Sequence, residues 1–415
     1  MNKRWIALLL CMTMLFSFMT VVQAEGKVEV VFWNGYTGPD QPVLEQIVND
    51  FNASQDQVEI KMEIMPWDTL YQKLMPAMIA GNAPDVVAIS VTRYSEYAMA
   101  GKLEALDSYI EKSTVITQDN LVPGLFNAGK YNGTQYALPM ACAAMVMYYN
   151  KDMFRDAGLD PENPPKTMDE LTAAWAKLIK KDASGNVTQY AQAIGVKATV
   201  PMVPVFMWAN GAEYIVEGKS ALNTPEAVEA MTLLANAFAE GVSPVGLTGQ
   251  EADNLFAAQK AAIEFNGQWA IPGFRGAGID LGIAEVPSGK GGHKTWGGDT
   301  ILCMSADSKV KDAAWSFIEY FNNTEAQTKW SLGVGFIPTR LDMAENQELL
   351  TGNPDISIFM KASTYADIFM ADQPLSGRID EEILVPLYES VTRGTATPAD
   401  ALKKASDQLD ALLAE

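Results

Sequence analysis

Cysteine and histidine are nearly missing from this chain. Among 415 residues there are three cysteines and one histidine. That scarcity excludes a disulfide-built scaffold and any metal site that needs clustered Cys and His. It also leaves no Ser–His–Asp set, because the one imidazole, His293, lies in a glycine-rich stretch. Basic residues are short too. Thirty Lys and Arg face 51 Asp and Glu, for a formal charge of −21. So acidic a chain repels nucleic acid and anionic membrane surfaces. The acidity reads as solubility and does not define a ligand. No internal repeat, heptad run or low-complexity tract is present, and no second apolar run is long enough to span a bilayer.

The first residues do have such a run. Lys3 and Arg4 precede the apolar stretch Trp5 to Met19, and Val22-Gln23-Ala24 is an acceptable small-residue cleavage site. A secretory signal over residues 1–24, cleaved after Ala24, is expected. The competing readings are an uncleaved anchor and a lipid-bearing Cys11, which Leu10 before it disfavours. Without the signal, 391 residues remain, and the charge becomes −23 because Lys3 and Arg4 are lost. That length exceeds one hydrophobic core, so two lobes are expected. Cys142 and Cys303 lie in apolar strand-like runs and read as buried free thiols.

The first part of the mature chain alternates strand and helix. Val28 to Trp33 is a strand. Val43, Leu44, Ile47, Val48 and Phe51 follow helical spacing. Val58, Ile60, Met62 and Ile64 alternate with polar residues as in a half-buried strand. Asp68 can cap a helix that ends before Gly81, with Pro76 inside it, and Asp85 to Ile89 is a further strand. This order implies a parallel sheet with helices on both faces. Asn132-Gly133 marks a hairpin turn. Met140 to Tyr149 reads as one continuous buried strand. Asn150 then caps a helix, Gly158 ends it, and Thr167 with Glu170 forms a capping box for the next. Further helices are expected over 167–180, 225–240, 250–260, 309–320, 324–332 and 398–413, the last capped by Thr397. Strands are expected over 261–265 and 300–304, and a loop over 282–298.

In open parallel sheets ligands bind beyond the carboxyl ends of strands. Those ends carry Trp33, Asn34 and Tyr36, then Trp67 and Asp68, then Ser90. Rings stack on the apolar faces of a sugar while amides, hydroxyls and carboxylates bond its hydroxyl groups. Each ring could instead pack in the core, and Asp68 could be only a helix cap. The second half offers Trp208 and the run Asn266-Gly267-Gln268-Trp269.

One stretch is specific in combination. From Leu138 to Leu171 the chain reads L-P, an apolar strand, Y-Y-N-K-D-M-F, A-G-L-D, P-P-K-T and D-E-L. This resembles the extracellular solute-binding proteins that feed ABC importers, in their maltose- and glycerol-phosphate-binding branch, and the resemblance covers essentially the whole mature chain. It implies an α/β, two-lobed periplasmic-binding-protein fold of type II, each lobe a sheet flanked by helices, with a ligand cleft between them. It places residues 25–140 and 299–342 in lobe one, and 141–298 and 343–415 in lobe two. Asn266-Gly267-Gln268-Trp269 is similar to the family's N-G-P-W motif. Trp269 matches its sugar-stacking tryptophan, and Gln268 replaces the proline. Gly298 and Asp299 match a hinge pair, Phe336 an aromatic over the ligand, and Arg378, loosely, a late arginine that could equally form a surface ion pair. The implied partners are a carbohydrate ligand and permease subunits, with no cofactor, no nucleic acid and a monomeric protein. Relatives place polar groups after L-P, whereas Met140, Ala141, Cys142 and Ala143 stand here. Arginines are scattered, so a neutral carbohydrate is favoured over glycerol phosphate. Two other functions share these features: a secreted glycan hydrolase, since carboxylates are plentiful, and a binding protein for a sensory receptor.

Overall fold

The computed structural model describes residues 26–117, 119–197, 202–298, 300–343, 346–352, 355–370 and 373–415. The expected signal and the candidate ligand residue Asp299 lie outside the described residues.

Two five-stranded sheets organise the chain. The first has the order Val58–Ile64, Val28–Asn34, Val86–Ser90, Thr300–Met304, Ala137–Pro139. Its first three strands are parallel, with Val28 opposite Val58 and Asn34 opposite Ile64. Thr300–Met304 runs antiparallel between Val86–Ser90 and Ala137–Pro139. Thr300 therefore starts beside Ser90, at the edge where the parallel strands end. Strand alternation distributes the two faces. Val30 and Phe32 share a core with helices Gln41–Ser54, Lys311–Phe321 and Thr324–Val334, and the Phe32 ring lies 5.2 Å from that of Phe317. Val87 and Ile89 point the other way, into helices Trp67–Ala80 and Tyr94–Met99. Helices thus cover both faces, as the βαβαβ order requires.

The second sheet has the order Leu281–Ala284, Val146–Asn150, Ala261–Asn266, Val187–Ala193, Lys180–Lys181. Here Val187–Ala193 and Ala261–Asn266 are parallel, and Val146–Asn150 is antiparallel to Ala261–Asn266. A small sheet lies between the large ones, with Gly297 and Gly298 paired to Ala144 and Ala143. Cys142 bridges to Ile337 beside it. Three stretches of chain, around residues 142, 298 and 337, thus run side by side where the structure passes from one large sheet to the other.

Local signals behaved as side-chain chemistry dictates. The Asn150 side chain accepts from the Met153 amide at 3.1 Å. Thr167 and Glu170 form the reciprocal capping box of helix Met168–Leu178. Gly158 has φ 69°, and Asn132 and Gly133 both have positive φ in their hairpin turn. Four expectations are corrected. The run Met140 to Tyr149 is two strands, Ala143–Ala144 and Val146–Asn150, because its first part joins the small sheet and its second the large one. The stretch 282–298 is not all loop, since Leu281–Ala284 and Thr295–Gly298 bound it as strands. Asp68 does not cap its helix: Pro66 occupies that position, and Asp68 lies in the first turn. Cys142 is only half-buried, where a buried thiol was expected.

Cys303 is fully buried, and desolvation pushes its thiol far above the usual range. Neither Cys142 nor Cys303 is in a disulfide. In the native protein a thiol reagent should label Cys142 slowly and Cys303 only after unfolding. Mass spectrometry of labelled peptides before and after denaturation checks this, and native labelling of Cys303 would refute the burial.

Candidate carbohydrate cleft

A cavity of about 520 Å³ lies between the two sheets. One wall comes from the strand ends of the first sheet: Tyr36 to Asp40 after the first strand, Pro66 to Asp68 after the second, Ser90 at the end of the third, and Thr300 at the start of its antiparallel neighbour. The other wall comes from helix Gly249–Ala257, from Asn266, from Trp269 to Phe274, and from Trp296. The walls touch. A Cβ added to Gly273 would lie 3.4 Å from the Pro39 ring on the opposite side.

Rings dominate the lining. Tyr36 lies edge-on to Trp67 at 5.3 Å and to Trp330 at 5.2 Å, and Trp67 stacks on Tyr71 at 6.0 Å. Trp330 stacks on Phe336 at 5.3 Å, and Phe336 tilts against Trp269 at 6.0 Å. Trp269 meets Trp296 edge-on at 6.3 Å. One ribbon of rings therefore runs from the first wall to the second. Its two half-buried tryptophans each rest on a glycine. A Cβ on Gly35 would sit 2.0 Å from the Trp67 ring, and one on Gly267 would sit 2.0 Å from the Trp269 ring. No side chain fits in either place, so the glycines set how flat each indole lies. Gly267→Ala should push the Trp269 ring out of position. Sugar affinity should fall by roughly tenfold or more; calorimetry on this variant checks it, with thermal melting reporting any loss of stability at this buried glycine separately.

Polar groups alternate with the rings. Tyr36 and Thr300 hydroxyls hydrogen-bond each other, and the Asn34 side chain accepts from the Tyr36 amide at 3.1 Å. Asn34 is fully buried, so it shapes the turn that presents Tyr36 and does not itself reach the cavity. Asp40 is 7 % exposed, and burial pushes its carboxyl up to about 6 against the opposing pull of the Gly38 amide. Across the cavity, Asn266 donates to Asp253 at 2.8 Å and to Glu264 at 3.2 Å, and accepts from the Gly267 amide at 2.8 Å. Burial, and then the neighbouring Asp253 carboxylate, push the Glu264 carboxyl well above the usual range, and burial raises Asp253 as well. This network fixes the backbone just before Trp269. The lysine on the wall, Lys197, pairs with Glu389 at 2.9 Å. Trp296 is 2 % exposed, and its indole N–H has no partner among the described residues.

Of the candidates named from the sequence, Tyr36, Trp67, Asp68, Ser90, Trp269 and Phe336 line this cavity. The other described candidates lie elsewhere. Trp33 packs with the core of helix Trp67–Ala80, on the face opposite Phe32. Trp208 is buried against Phe369 at 5.8 Å, with the Lys294 ammonium 4.9 Å over its ring. Gln268 is fully buried as a strut, donating to the Cys142 carbonyl at 3.1 Å and accepting from the Ala144 amide at 3.4 Å. Gly298 has φ 125° and faces Val91, where a Cβ would approach to 2.9 Å. Arg378 is an exposed ion pair with Glu382 at 3.1 Å and Glu415 at 2.6 Å. Asp40, Asp253, Trp296 and Thr300 line the cavity without having been singled out as ligands, apart from Thr300's strand. Asp40 stands immediately before helix Gln41–Ser54, at its N-cap position.

A cleft between two helix-covered sheets, lined by rings and polar groups from both, defines a two-lobed binding protein. Residues 46–356 match the family model of the bacterial extracellular solute-binding proteins. The chain belongs to that family, whose members are binding proteins that act outside the cytoplasm. It is 28% identical over 382 residues to a maltotriose-binding protein of Pyrococcus abyssi, covering 88% of this chain and 80% of that one. It is 26% identical over 337 residues to an sn-glycerol-3-phosphate-binding periplasmic protein of Rhizobium meliloti, covering 77% of each. Among solved structures, a solute-binding protein of an ABC transporter from Thermotoga lettingae, bound with α-D-tagatose, superimposes with a TM-score of 0.84. It is 24% identical, over 93% of this chain and 100% of that one. A substrate-binding protein from Listeria monocytogenes, in complex with cycloalternan, has a TM-score of 0.83, also at 24% identity, over 94% and 99%. These two solved structures share the fold of this chain.

Proposed function

We propose that this protein captures a neutral carbohydrate outside the cytoplasmic membrane and delivers it to the permease of an ABC importer by closure of its two lobes. The observation that carries the reading is the ribbon of rings on both walls of one cavity, interleaved with hydroxyl, amide and carboxylate groups. Rings cover the apolar faces of a pyranose, and the polar groups bond its hydroxyls. The volume suits a ligand of one to three sugar units. The maltotriose-binding relative and neighbours solved with tagatose and cycloalternan support this class of ligand. Glycerol phosphate is the second reading, supported by its own relative. The cavity lining disfavours it: Asp40, Asp68 and Asp253 face the cavity, while Lys197 is already paired.

In this reading the signal is removed after Ala24. Residues 25–140 with 299–342 form one lobe and 141–298 with 343–415 the other, and a monomer works without catalysis. Trp67 and Trp269 are the stacking platforms. Tyr36, Ser90 and Thr300 serve hydroxyls, and Asp40, Asp68 and Asp253 accept from them. A thermal-shift screen of the mature protein against mono- and oligosaccharides and glycerol 3-phosphate tests it. Ligand at ~100 times its dissociation constant stabilises by roughly 2.7 kcal/mol. Small-angle scattering with the best sugar should give a smaller radius of gyration, an unchanged radius under saturation counting against hinge capture, and prolonged incubation should release no reducing ends. Stabilisation by glycerol 3-phosphate alone would overturn the carbohydrate assignment, and steady release of reducing ends would favour a hydrolase.

A further inference from the structure

At one end of the cavity a single arginine joins segments that belong to different parts of the fold. Arg93 follows strand Val86–Ser90 and precedes helix Tyr94–Met99. Its guanidinium lies 4.4 Å over the ring of Tyr71, which is on the cavity wall and stacks on Trp67. The same guanidinium donates to Glu381 at 2.9 Å and to Asp380 at 3.3 Å. Those carboxylates sit on Ile379–Leu384, a stretch of π-helix. Such helix is rare and is held where its surroundings demand it, often at functional positions. It continues into Val385–Thr392, which packs on helices Pro398–Leu413 and Pro225–Glu240. The last of these lies in the chain between two strands of the second sheet. Next to the ion pairs, the Ser376 hydroxyl donates to the Thr92 carbonyl, so a second bond makes the same crossing.

Magnitudes single out Arg93 from the surface ion pairs. Exposed pairs are worth little, and the Glu381 side chain is 63 % exposed. Arg93 is different: its side chain is 12 % exposed, and that of Asp380 is 27 % exposed. A planar fork held between a ring and two carboxylates also loses less freedom per bond than a lysine would.

We propose that Arg93 is a positioning residue that ties the Tyr71 side of the cleft to the C-terminal helices and so holds the two lobes in the relation seen here. The proposal rests on the two-lobed capture reading but not on the identity of the ligand, so it is tested without one. Small-angle scattering of the ligand-free mature protein at low salt should give a larger radius of gyration for Arg93→Ala. The double variant Asp380→Asn, Glu381→Gln touches no ring and should reproduce the opening. Combining the three substitutions should open the molecule no further, the sign of one shared interaction. Arg93→Lys should open the molecule less than Arg93→Ala but not restore the wild-type radius, because it keeps charge but loses the stack and the fork. Melting temperatures of all variants report on folding separately. An unchanged radius in both Arg93→Ala and the carboxylate variant overturns the tie. So does opening in Arg93→Ala that the carboxylate variant fails to reproduce, which would mean a local packing defect. Because no sugar enters the measurement, failure of the carbohydrate assignment leaves this result intact.

Discussion

Trp269→Ala should weaken carbohydrate affinity by roughly 10- to 1000-fold, since losing a buried aromatic anchor costs a few kcal/mol and each tenfold step is about 1.4 kcal/mol. The structure sharpens the expectation. The ring is half-buried, rests on Gly267 and touches Phe336 and Trp296, so one face remains for a sugar. Its truncation removes two aromatic contacts, worth about 0.5–1.5 kcal/mol each, and leaves little enclosed cavity. A tryptophan sealed in the core would behave otherwise and cost ~3–5 kcal/mol of stability. Titration calorimetry and the ligand-free melting temperature of the same variant separate the cases. A large melting drop with unchanged affinity would return Trp269 to the core and remove the second wall's platform.

The second large effect is a pH dependence centred on Asp40. Burial raises its folded carboxyl from 3.8 to about 6, so the folded state prefers the protonated form. The resulting stabilisation is complete below about pH 4 and is lost as pH rises through about 6. Wild type should therefore gain stability on going from pH 7.5 to pH 5. The shift of about two units corresponds to an upper bound of about 3 kcal/mol at 1.36 kcal/mol per unit. Asp40→Asn keeps the shape and one acceptor but has no proton to take up. It should be more stable than wild type at pH 7.5 and equal to it near pH 4. Urea unfolding of both proteins across that range measures the difference, which cancels the shared contributions of Asp253 and Glu264. A wild type–variant difference that stays constant with pH would show that Asp40 is not desolvated as its place in the cleft requires.

Much of this was legible from the residues alone. Export, two lobes and an α/β order follow from length, charge and hydrophobic period, which act over short stretches. The caps at Asn150, Thr167 and Thr397 were readable for the same reason, because a cap is a contact over three residues. What could not be read was which ring faces the cleft. Trp33 and Tyr36 are three residues apart, yet Trp33 is packed beneath helix Trp67–Ala80 while Tyr36 lines the cavity. Trp208 offered the same aromatic promise as Trp269 but is covered by Phe369, some 160 residues further on. Asp40 and Asp253 meet across one cavity, and Thr300 reaches it only because its strand pairs beside Ser90. Local sequence set where strands end and helices begin, since those choices depend on backbone torsions and nearby side chains. The tertiary structure decided which side chains were left for a ligand, because the free face of a ring is whatever distant chain does not cover.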